Sequence, residues 1–498
     1  MGMTIQQQPS TSFVHGAFEQ LMYVLTSAEQ ASTSPPYFKF RYIADLYVGG
    51  VKVSRVKVYP NSAGAGVIRV DKLIQDFMSI SKADANVTTN QIQTASIHKL
   101  GTNDTSKTWS HSNGENFRKV ELKFGQEYSA SATTNPTVYP NLLTGNYISC
   151  IMTAGLDRSH TWDEGIATYL TAQNWITAYI PTSSTKQVFS DRKVDSNFTS
   201  TTAPSVSVVH QYVTAYEVRT LGLGMDGSAP QSSVAVSAWI GLYNSSDTLI
   251  DSGFFTAATA GGTAPGSVSS DLGRLQYIGV GPWNLTAQQV IATFDTQFLA
   301  GNVAYYEVFF MQDSSTVPAN GTTGSMASAC YQYSVVGSDC MYGQDNYNFV
   351  TLAFQNSLGC WDYQTFSLLH QRSTGSIDRK TFDQVAGNWN TADASQDFNF
   401  RGDQGGSRIS KVSATQEMVA NTDLFNEDEV ELMESLFISP NVFLLGTGGE
   451  SVTPIVLTDS SFVRKKNVNE RAPFTYQIKF KYAKERPTTK GGTYRGYS

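Results

Sequence analysis

The chain has 498 residues, of which 40% are hydrophobic and 15% are charged, and its formal net charge at pH 7 is −7. This length predicts about two to four domains with packed cores, and no apolar run approaches the roughly 18 residues that a membrane-spanning helix requires. The polar N-terminus MGMTIQQQPSTS does not have the pattern of a secretory signal, so we expect neither a membrane span nor an export signal.

The charged fraction is well below the roughly 25% that is usual in soluble proteins, and Ser, Thr, Asn, Gln and Gly take the place of the missing charges. Few charges then have to be desolvated when such surfaces meet. The 25 Tyr and 27 Phe are of the residue types enriched at the centres of interfaces. The composition therefore favours subunits that pack side by side, although a strand-rich protein without special interfaces is the alternative.

The N-terminal part of the chain is predicted to form an arm, residues 1–30, followed by an immunoglobulin-like β-sandwich over residues 31–140. Tyr37 to Val58 contains two alternating strands on either side of Gly49-Gly50, which is a two-residue hairpin signal. Phe117 to Tyr128 alternates again. The period of two residues in these segments is typical of half-buried strands.

Residues 141–366 are predicted to form a second β-domain with long loop insertions. The run from Val303 to Met311 is apolar except at Glu307, and this predicts a strand buried on both faces. Two polar stretches, 84–115 and 181–206, are predicted to be long loops that reach neighbouring subunits. We expect the deletion of either loop to impair assembly and to leave the folding of the monomer intact.

Residues 367–487 are predicted to form a C-terminal β-domain, a sandwich or barrel with one covering helix at residues 426–438. Asn426 is a suitable N-cap residue, and Glu429 follows it by three positions, as in a capping box. The apolar face of this helix consists of Val430, Met433, Leu436 and Phe437. Residues 488–498 are predicted to be a flexible tail. The whole chain is thus predicted to be mainly β and multi-domain, with one capped helix.

The stretch from Phe349 to Phe382 carries the most specific pattern of the chain. Val350 to Phe354 alternates as a strand does, Asn356 to Gly359 has the residues of a turn, and Trp361 to Phe366 resumes as an aromatic strand. This pattern predicts a buried hairpin at a domain junction. The residues that we expect to form the junction hairpin are Asn356, Gly359, Trp361, Asp362 and Tyr363.

The motif F-x-N-x-L-G-x-W-D-Y-x-T-F at residues 354–366, followed by an acidic helix and by S-P-N-V-F-L at residues 439–444, resembles structural proteins of tailed bacteriophage particles. The resemblance is to virion proteins of marine and crAss-like phages, and it covers mostly residues 300–487. It implies a place in the tail or neck of a virion, and it implies no reaction. The C-terminal arrangement is similar to that of phage tail-tube and hub domains.

The residues that could act in catalysis or metal binding are better explained by a structural role. Asp157, His160, Asp163 and Glu164 offer ligands for a divalent ion, but they have neither a glycine-hinged calcium loop nor a second histidine at the right spacing. We interpret them as a solvated loop. Asp362, between two aromatic residues, is the best acid for glycoside hydrolysis, but that reaction requires a second carboxylate, which the sequence does not identify.

Signatures of serine hydrolases, zinc proteases and P-loop proteins are missing from the sequence. Cys150, Cys330, Cys340 and Cys360 form no C-x-x-C pair, so we expect free thiols and no zinc site. The sequence therefore predicts a protein that is not an enzyme and has no catalytic, cofactor-binding or metal site.

Trp109, Trp283 and Trp389 stand among polar residues, and we interpret them as parts of subunit contacts or, alternatively, as platforms for sugar rings. The segment from Arg464 to Ser498 has ten Lys or Arg against two Glu. Its strand from Tyr476 to Tyr482 is interpreted as an edge strand with lysines on the wet face. Contact with nucleic acid or with an acidic neighbouring subunit is the alternative.

The sequence and the resemblance together predict a structural protein of a tailed-phage virion, made in the host cytoplasm, that forms an oligomeric ring or collar through protein–protein contacts. Its expected partners are copies of itself and other virion proteins, with no cofactor and no membrane. The C-terminal β-domain is the expected ring-forming element. The alternative is a receptor-binding or carbohydrate-binding tail protein.

Overall fold

A computed structural model describes residues 2–9, 14–17, 21–30, 37–48, 50–78, 109–111, 117–138, 143–144, 148–151, 186–192, 194–215, 217–225, 237–256, 275–286, 292–311, 315–319, 328–336, 349–356, 359–368, 371–384, 387–389, 398–400, 405–422, 430–446, 452–459 and 475–483. They form several β-sheets and only four helices, so the described part of the chain is mainly β, as predicted.

The N-terminal strands form two sheets that share one core, which we call the N-terminal sandwich. The smaller sheet consists of Met3–Gln7, Met22–Ser27 and Gly66–Arg69. The larger consists of Val14–Gly16, Ile148–Ile151, Phe117–Ser129, Phe38–Val48, Val51–Val58, Leu143–Thr144 and Thr137–Val138. Both sheets and the short helix Asp71–Gln75 contribute to the core, in which the rings of Tyr23 and Phe124 lie 5.0 Å apart.

The predicted hairpin at Gly49-Gly50 is confirmed, since Phe38–Val48 pairs with Val51–Val58. Residues 21–27 belong to the core of this sandwich rather than to the expected arm at residues 1–30, because Tyr23 and Leu25 are fully buried. The physical reason is that the inner face of the larger sheet is apolar and needs a cover. The strand Met22–Ser27 supplies that cover, because every second side chain, Tyr23, Leu25 and Ser27, is buried.

The middle of the chain forms a second pair of sheets, the middle sandwich. One sheet consists of Lys186–Val188, Thr220–Met225, Leu275–Gly279 and Trp109–His111. The other consists of Val208–Thr214, Cys330–Val336, Tyr305–Met311, Ser237–Tyr243 and Leu249–Thr256. The helices Pro282–Thr286 and Ala292–Leu299 add Leu285, Phe294 and Phe298 to the core between the sheets.

The strand Tyr305–Met311 is buried on both faces, as predicted. Tyr306 and Val308 lie in the core between the two sheets, whereas Phe309 and Met311 lie in a second apolar cluster. All four side chains have no exposed surface. A strand in this position is mostly apolar because neither of its faces reaches water, and its one charged side chain, Glu307, is buried against hydrogen-bond donors.

The two predicted loops contain parts of the middle sandwich. Trp109–His111, inside 84–115, pairs with Leu275–Gly279, and Lys186–Val188, inside 181–206, pairs with Thr220–Met225. Val188 and Phe189 are buried. The segment 181–206 is thus not only a loop that reaches outward, since some of its polar residues, such as Ser190 and Ser200, bury their side chains against hydrogen-bonding partners, which composition does not reveal. Residues 84–108 lie outside the described part of the chain.

The C-terminal part of the chain forms one seven-stranded sheet, the C-terminal sheet. Its strands, in spatial order, are Trp361–Phe366, Val350–Gln355, Val442–Leu445, Val452–Leu457, Gln477–Tyr482, Gly406–Asn421 and Gln371–Gln384. A separate short hairpin joins Gly387–Trp389 to Phe398–Phe400. The hairpin of residues 350–366 thus belongs to the same sheet as the strands of 367–487, although the expected domain limit at residue 366 separates them.

The predicted helix is confirmed over Val430–Ile438, and its predicted start at Asn426 lies outside the described residues. Its apolar face covers the C-terminal sheet, with Val430, Met433 and Leu436 fully buried. Gln477–Tyr482 exposes its lysines, as expected. It is nevertheless not an edge strand, because it pairs with a neighbour on each side. Among the described helices, none is long and apolar enough to span a membrane.

Candidate functional site

The turn of the predicted junction hairpin is closed by its own residues. Gly359 has a φ of +81°, in the left-handed region that glycine adopts without strain. The side-chain oxygen of Asn356 accepts a hydrogen bond from the backbone N–H of Cys360 at 2.8 Å, and the backbone N–H of Asn356 donates to the carbonyl of Cys360 at 2.8 Å. The hairpin is buried, as predicted: the exposed fraction is at most 5% for Asn356, Trp361, Asp362 and Tyr363.

The carboxylate of Asp362 joins this hairpin to the middle sandwich. It accepts hydrogen bonds from the hydroxyl of Ser190 at 2.7 Å, from the backbone N–H of Asp191 at 2.7 Å and from the side-chain amide of Asn356 at 3.1 Å. The same amide of Asn356 donates to the carbonyl of Phe189 at 3.0 Å. Three donors on a buried carboxylate offset the cost of removing its charge from water. We call this contact, with the neighbours described next, the junction.

Residues 190–192, which contact Asp362, also contact the strand Trp361–Phe366 and the helix Val430–Ile438. Arg192 donates to the carbonyl of Tyr363 at 2.5 Å and to the side-chain oxygen of Gln364 at 3.1 Å. The carboxylate of Asp191 accepts a hydrogen bond from Ser435 of the helix Val430–Ile438. Residues 190–192 are thus held between the middle sandwich and two elements of the C-terminal part.

A buried ion pair forms a second connection of the junction. The guanidinium of Arg219 donates to the carboxylate of Glu217 at 2.9 and 3.0 Å, and to the hydroxyl of Thr365 at 2.9 Å. Arg219 is only 2% exposed. Thr220, next in the chain, hydrogen-bonds the phenol of Tyr363 at 2.6 Å. These hydrogen bonds join the middle sandwich to the C-terminal sheet. Because they are directional as well as buried, they fix the relative orientation of the two parts.

The interpretation of Asp362 as a structural acid follows from this burial. The structure does bring a second acid, Asp191, beside it, which the sequence did not reveal. Both are at most 3% exposed, and both carboxylates accept hydrogen bonds from the protein. A glycosidase needs its two carboxylates on either side of an accessible sugar bond, and this pair has no such access.

His210 is a buried, neutral imidazole of the middle sandwich. Its ring stacks on Phe198 with 3.4 Å between ring centroids, and Nε2 forms a hydrogen bond with the hydroxyl of Ser334 at 2.9 Å. Burial, together with the charge of Arg192, lowers the pKa of His210 to about 3. The folded protein therefore resists protonation at this position.

The predicted free thiols are confirmed for Cys330 and Cys360, which are both buried. Burial raises the pKa of both thiols well above the ordinary value. A protonated, buried thiol is a poor nucleophile, which argues against a nucleophilic role for either residue. Cys340 and the side chain of Cys150 lie outside the described residues.

A long two-stranded ribbon is the most exposed feature of the C-terminal sheet. It consists of Gln371–Gln384 paired with Gly406–Asn421, and we call it the ribbon. Only residues 417–421 also pair with Gln477–Tyr482. Residues 406–416 have the opposite strand of the ribbon as their sole ladder partner among the described strands. At about 3.3 Å per residue, this part extends roughly 30 Å beyond the sheet.

The two faces of the ribbon differ in chemistry. Side chains alternate between the faces, and directly paired residues share a face. One face, the apolar face, carries Ile377, Arg379, Ile409, Val412 and Ala414. The other, the cationic face, carries Asp378, Lys380, Phe382, Arg408 and Lys411. Ile377, Ile409 and Phe382 are 43–46% exposed, which is high for large hydrophobic residues.

The three candidate tryptophans lie on three different elements. Trp109 is in the strand that pairs with Leu275–Gly279, and Trp283 is half-buried in the helix Pro282–Thr286. Trp389 pairs with Phe398 in the short hairpin between the two strands of the ribbon, which we call the tip. Only Trp389 is thus placed on the projecting part of the molecule.

The set Asp157, His160, Asp163 and Glu164 lies outside the described residues, as does most of the basic C-terminal segment. Within the described ranges, no group of three or more His, Cys, Asp or Glu side chains is placed to hold a metal ion. No protein-family model matches the sequence, and no curated protein is significantly similar to it. The function of the chain is therefore inferred from the geometry of the junction and the ribbon.

The substitution Asp362→Ala is expected to lower the free energy of unfolding by about 2–4 kcal/mol, because it leaves the hydroxyl of Ser190 and the N–H of Asp191 buried without their acceptor. Urea denaturation followed by tryptophan fluorescence measures this change. Asp378→Ala on the exposed ribbon is the control, with an expected change within about 0.5 kcal/mol. Equal stabilities of the two variants would contradict a structural role of Asp362.

The low pKa of His210 predicts a specific loss of stability in acid. The unfolded chain takes up a proton near pH 6.5, whereas the folded chain does so only near pH 3, so stability falls as the pH drops through this window. Between pH 7 and pH 5 the loss from this residue is about 2 kcal/mol. His210→Gln removes this contribution, and denaturation curves at the two pH values should show a correspondingly smaller difference. An unchanged difference would refute the prediction.

Proposed function

We propose that this protein is a structural component of a tailed-phage virion, which joins copies of itself into a ring or collar in the tail or neck through protein–protein contacts. The observation that carries this proposal is the ribbon. It extends from the C-terminal sheet, it is exposed on both faces, and it has large hydrophobic side chains on each of them.

A ribbon of this kind is poorly stabilised by its own contacts. Two-stranded hairpins are marginally stable at best in water, because they bury little apolar surface. Residues 406–416 gain no ladder hydrogen bonds from a third described strand. Docking on another molecule would bury the exposed hydrophobic side chains of one face and would satisfy the open edge of Gln371–Gln384. The ribbon therefore suits an assembly contact.

The shape of the ribbon favours a ring over a symmetric dimer. A projecting element reaches a surface on its neighbour that differs from itself, which makes a head-to-tail contact. Such contacts close into a ring when the rotation from one copy to the next divides a full turn. The junction supports closure, because its buried hydrogen bonds hold the middle sandwich and the C-terminal sheet in one orientation.

The placement in a phage tail or neck rests on the resemblance of the junction motif at residues 354–366 to virion proteins of tailed phages. The low charge of the chain is consistent with subunits that share extended contacts. These two features support the setting, and the ribbon supports the mode of action.

A receptor-binding or carbohydrate-binding tail protein is the second candidate function. It is favoured by the tip, where Trp389 pairs with Phe398 at the distal end of the ribbon. The backbone of this hairpin thus places two aromatic residues at the end of a projection, where a host surface would be met first.

The proposal predicts that the purified full chain forms closed oligomers, visible as rings by electron microscopy and measurable by light scattering. Replacing residues 378–413 with Asn-Gly shortens the ribbon between Ile377 and Ala414, which are directly paired and suit a two-residue turn. This variant is expected to fold as a monomer and to form no rings, because it lacks the docking element. Circular dichroism and thermal unfolding verify its fold.

The matched control removes only the tip, by replacing residues 385–405 with Asn-Gly between the paired Gln384 and Gly406. This variant is expected to form rings as the full chain does. A full chain that stays monomeric at every concentration, and binds glycans on an array only when the tip is present, would refute the assembly function and support the second candidate.

A further inference from the structure

We infer that the ribbon docks through its cationic face on an acidic surface of a second copy of this chain. This inference rests on the proposed function and names the contact that would hold the ring together. It depends on one pair of residues and on the distribution of charge between the ribbon and the rest of the chain.

Lys380 and Lys411 are directly opposite each other in the ribbon. Directly paired residues of antiparallel strands have their Cβ atoms about 5 Å apart, and like charges at this distance destabilise the pairing. Both lysines are exposed. The ribbon thus keeps an unfavourable pair in its middle, which a carboxylate from a docked molecule would convert into a favourable set of contacts.

The remaining residues of the cationic face fit the same kind of contact. Arg408 and Phe382 are paired with each other next to the lysines, and Arg and Phe are residue types enriched at interface centres. Over the projecting part of the ribbon, residues 377–384 and 406–414, this face has three basic residues and one acidic residue, a net charge of +2. Over the same residues the apolar face carries no net charge, since Arg379 is balanced by Asp383.

The charge of the rest of the chain identifies the occupant as a second copy. The two strands of the ribbon contain five basic and three acidic residues, and the whole chain contains 35 and 42. The chain outside the ribbon therefore has 30 basic and 39 acidic residues, a net charge of −9. Opposite charges on the ribbon and on the body of each copy favour a head-to-tail contact and disfavour contact between two ribbons.

A small cationic face fits a protein better than a nucleic acid. Proteins that bind nucleic acid through its backbone typically neutralise many phosphates, and their affinity depends on the number of Lys and Arg that do so. The cationic face has three basic residues with an acid among them. A protein surface with a few carboxylates matches this number, whereas a phosphate backbone would meet Asp378 with repulsion.

Charge reversal at two positions of the full chain separates the two faces. Lys411→Glu reverses a charge on the cationic face, and Arg379→Glu makes the same change of charge on the apolar face, on the other strand and directly opposite Val412. Sedimentation over a range of protein concentrations gives the dissociation constant for assembly of each variant. We expect Lys411→Glu to weaken assembly at least about tenfold and Arg379→Glu to weaken it less than threefold.

Stability and salt dependence distinguish docking from an effect on folding. Lys411→Glu replaces a repulsion with an attraction to Lys380, so the thermal midpoint of the monomer should stay unchanged or rise even though assembly weakens. Raising the salt concentration should weaken assembly of the unaltered chain, because salt screens the contacts between the ribbon and the acidic surface. A thermal midpoint that falls together with assembly would overturn the inference.

The remaining outcomes are also decisive. Rings that survive Lys411→Glu but are lost with Arg379→Glu would place the contact on the apolar face and overturn the inference, while the proposed function would stand. Rings that survive both changes would also overturn it, and binding of a double-stranded DNA probe that only Lys411→Glu abolishes would then assign the face to nucleic acid. An unaltered chain that never assembles would overturn the inference and the proposed function together.

Discussion

The buried carboxylate of Asp362 is the contact on which the arrangement of this protein depends. Removing a carboxylate from water is costly unless it finds donors. Asp362 finds one donor on Asn356 in its own hairpin and two on Ser190 and Asp191, which lie 172 and 171 residues earlier in the chain. Apolar contacts would tolerate many relative orientations of the middle sandwich and the C-terminal sheet. A carboxylate with three directed partners tolerates few, so the junction determines the geometry as well as the association.

The fixed orientation of the middle sandwich and the C-terminal sheet also matters for the ribbon. A projecting element can specify a ring only when its direction relative to the body of the subunit is constant. The ribbon belongs to the same sheet as the junction hairpin, and its strand Gly406–Asn421 is anchored beside Gln477–Tyr482. The directed hydrogen bonds at Asp362, Arg192 and Arg219 thus bear on the direction in which the ribbon leaves the molecule, some distance from the contact that we propose for it.

The same use of buried polar groups recurs in the middle sandwich. Glu307 has no exposed surface, and its carboxylate accepts hydrogen bonds from the backbone N–H groups of Thr201 and Thr202 and from the hydroxyl of Ser200. A chain rich in Ser, Thr and Asn can therefore bury its few acids by surrounding them with hydroxyl and amide donors. This explains why polar residues of the segment 186–206, such as Ser190, Asp191 and Ser200, are buried.

The sequence by itself determined the elements whose signal is local. The alternation on both sides of Gly49-Gly50, the apolar run at Tyr305–Met311, the apolar face of Val430–Ile438 and the turn chemistry of Asn356 and Gly359 each depend on neighbouring residues, and each is present as predicted. Only the tertiary structure decided what these elements meet. The strand Met22–Ser27 covers a sheet, Val208–Thr214 pairs in parallel with Cys330–Val336, and Asp362 meets residues 190 and 191. These partners lie far away in the chain, so no local hydrophobic pattern indicates them. Whether a polar residue is buried likewise depends on a hydrogen-bond donor that lies elsewhere in the sequence.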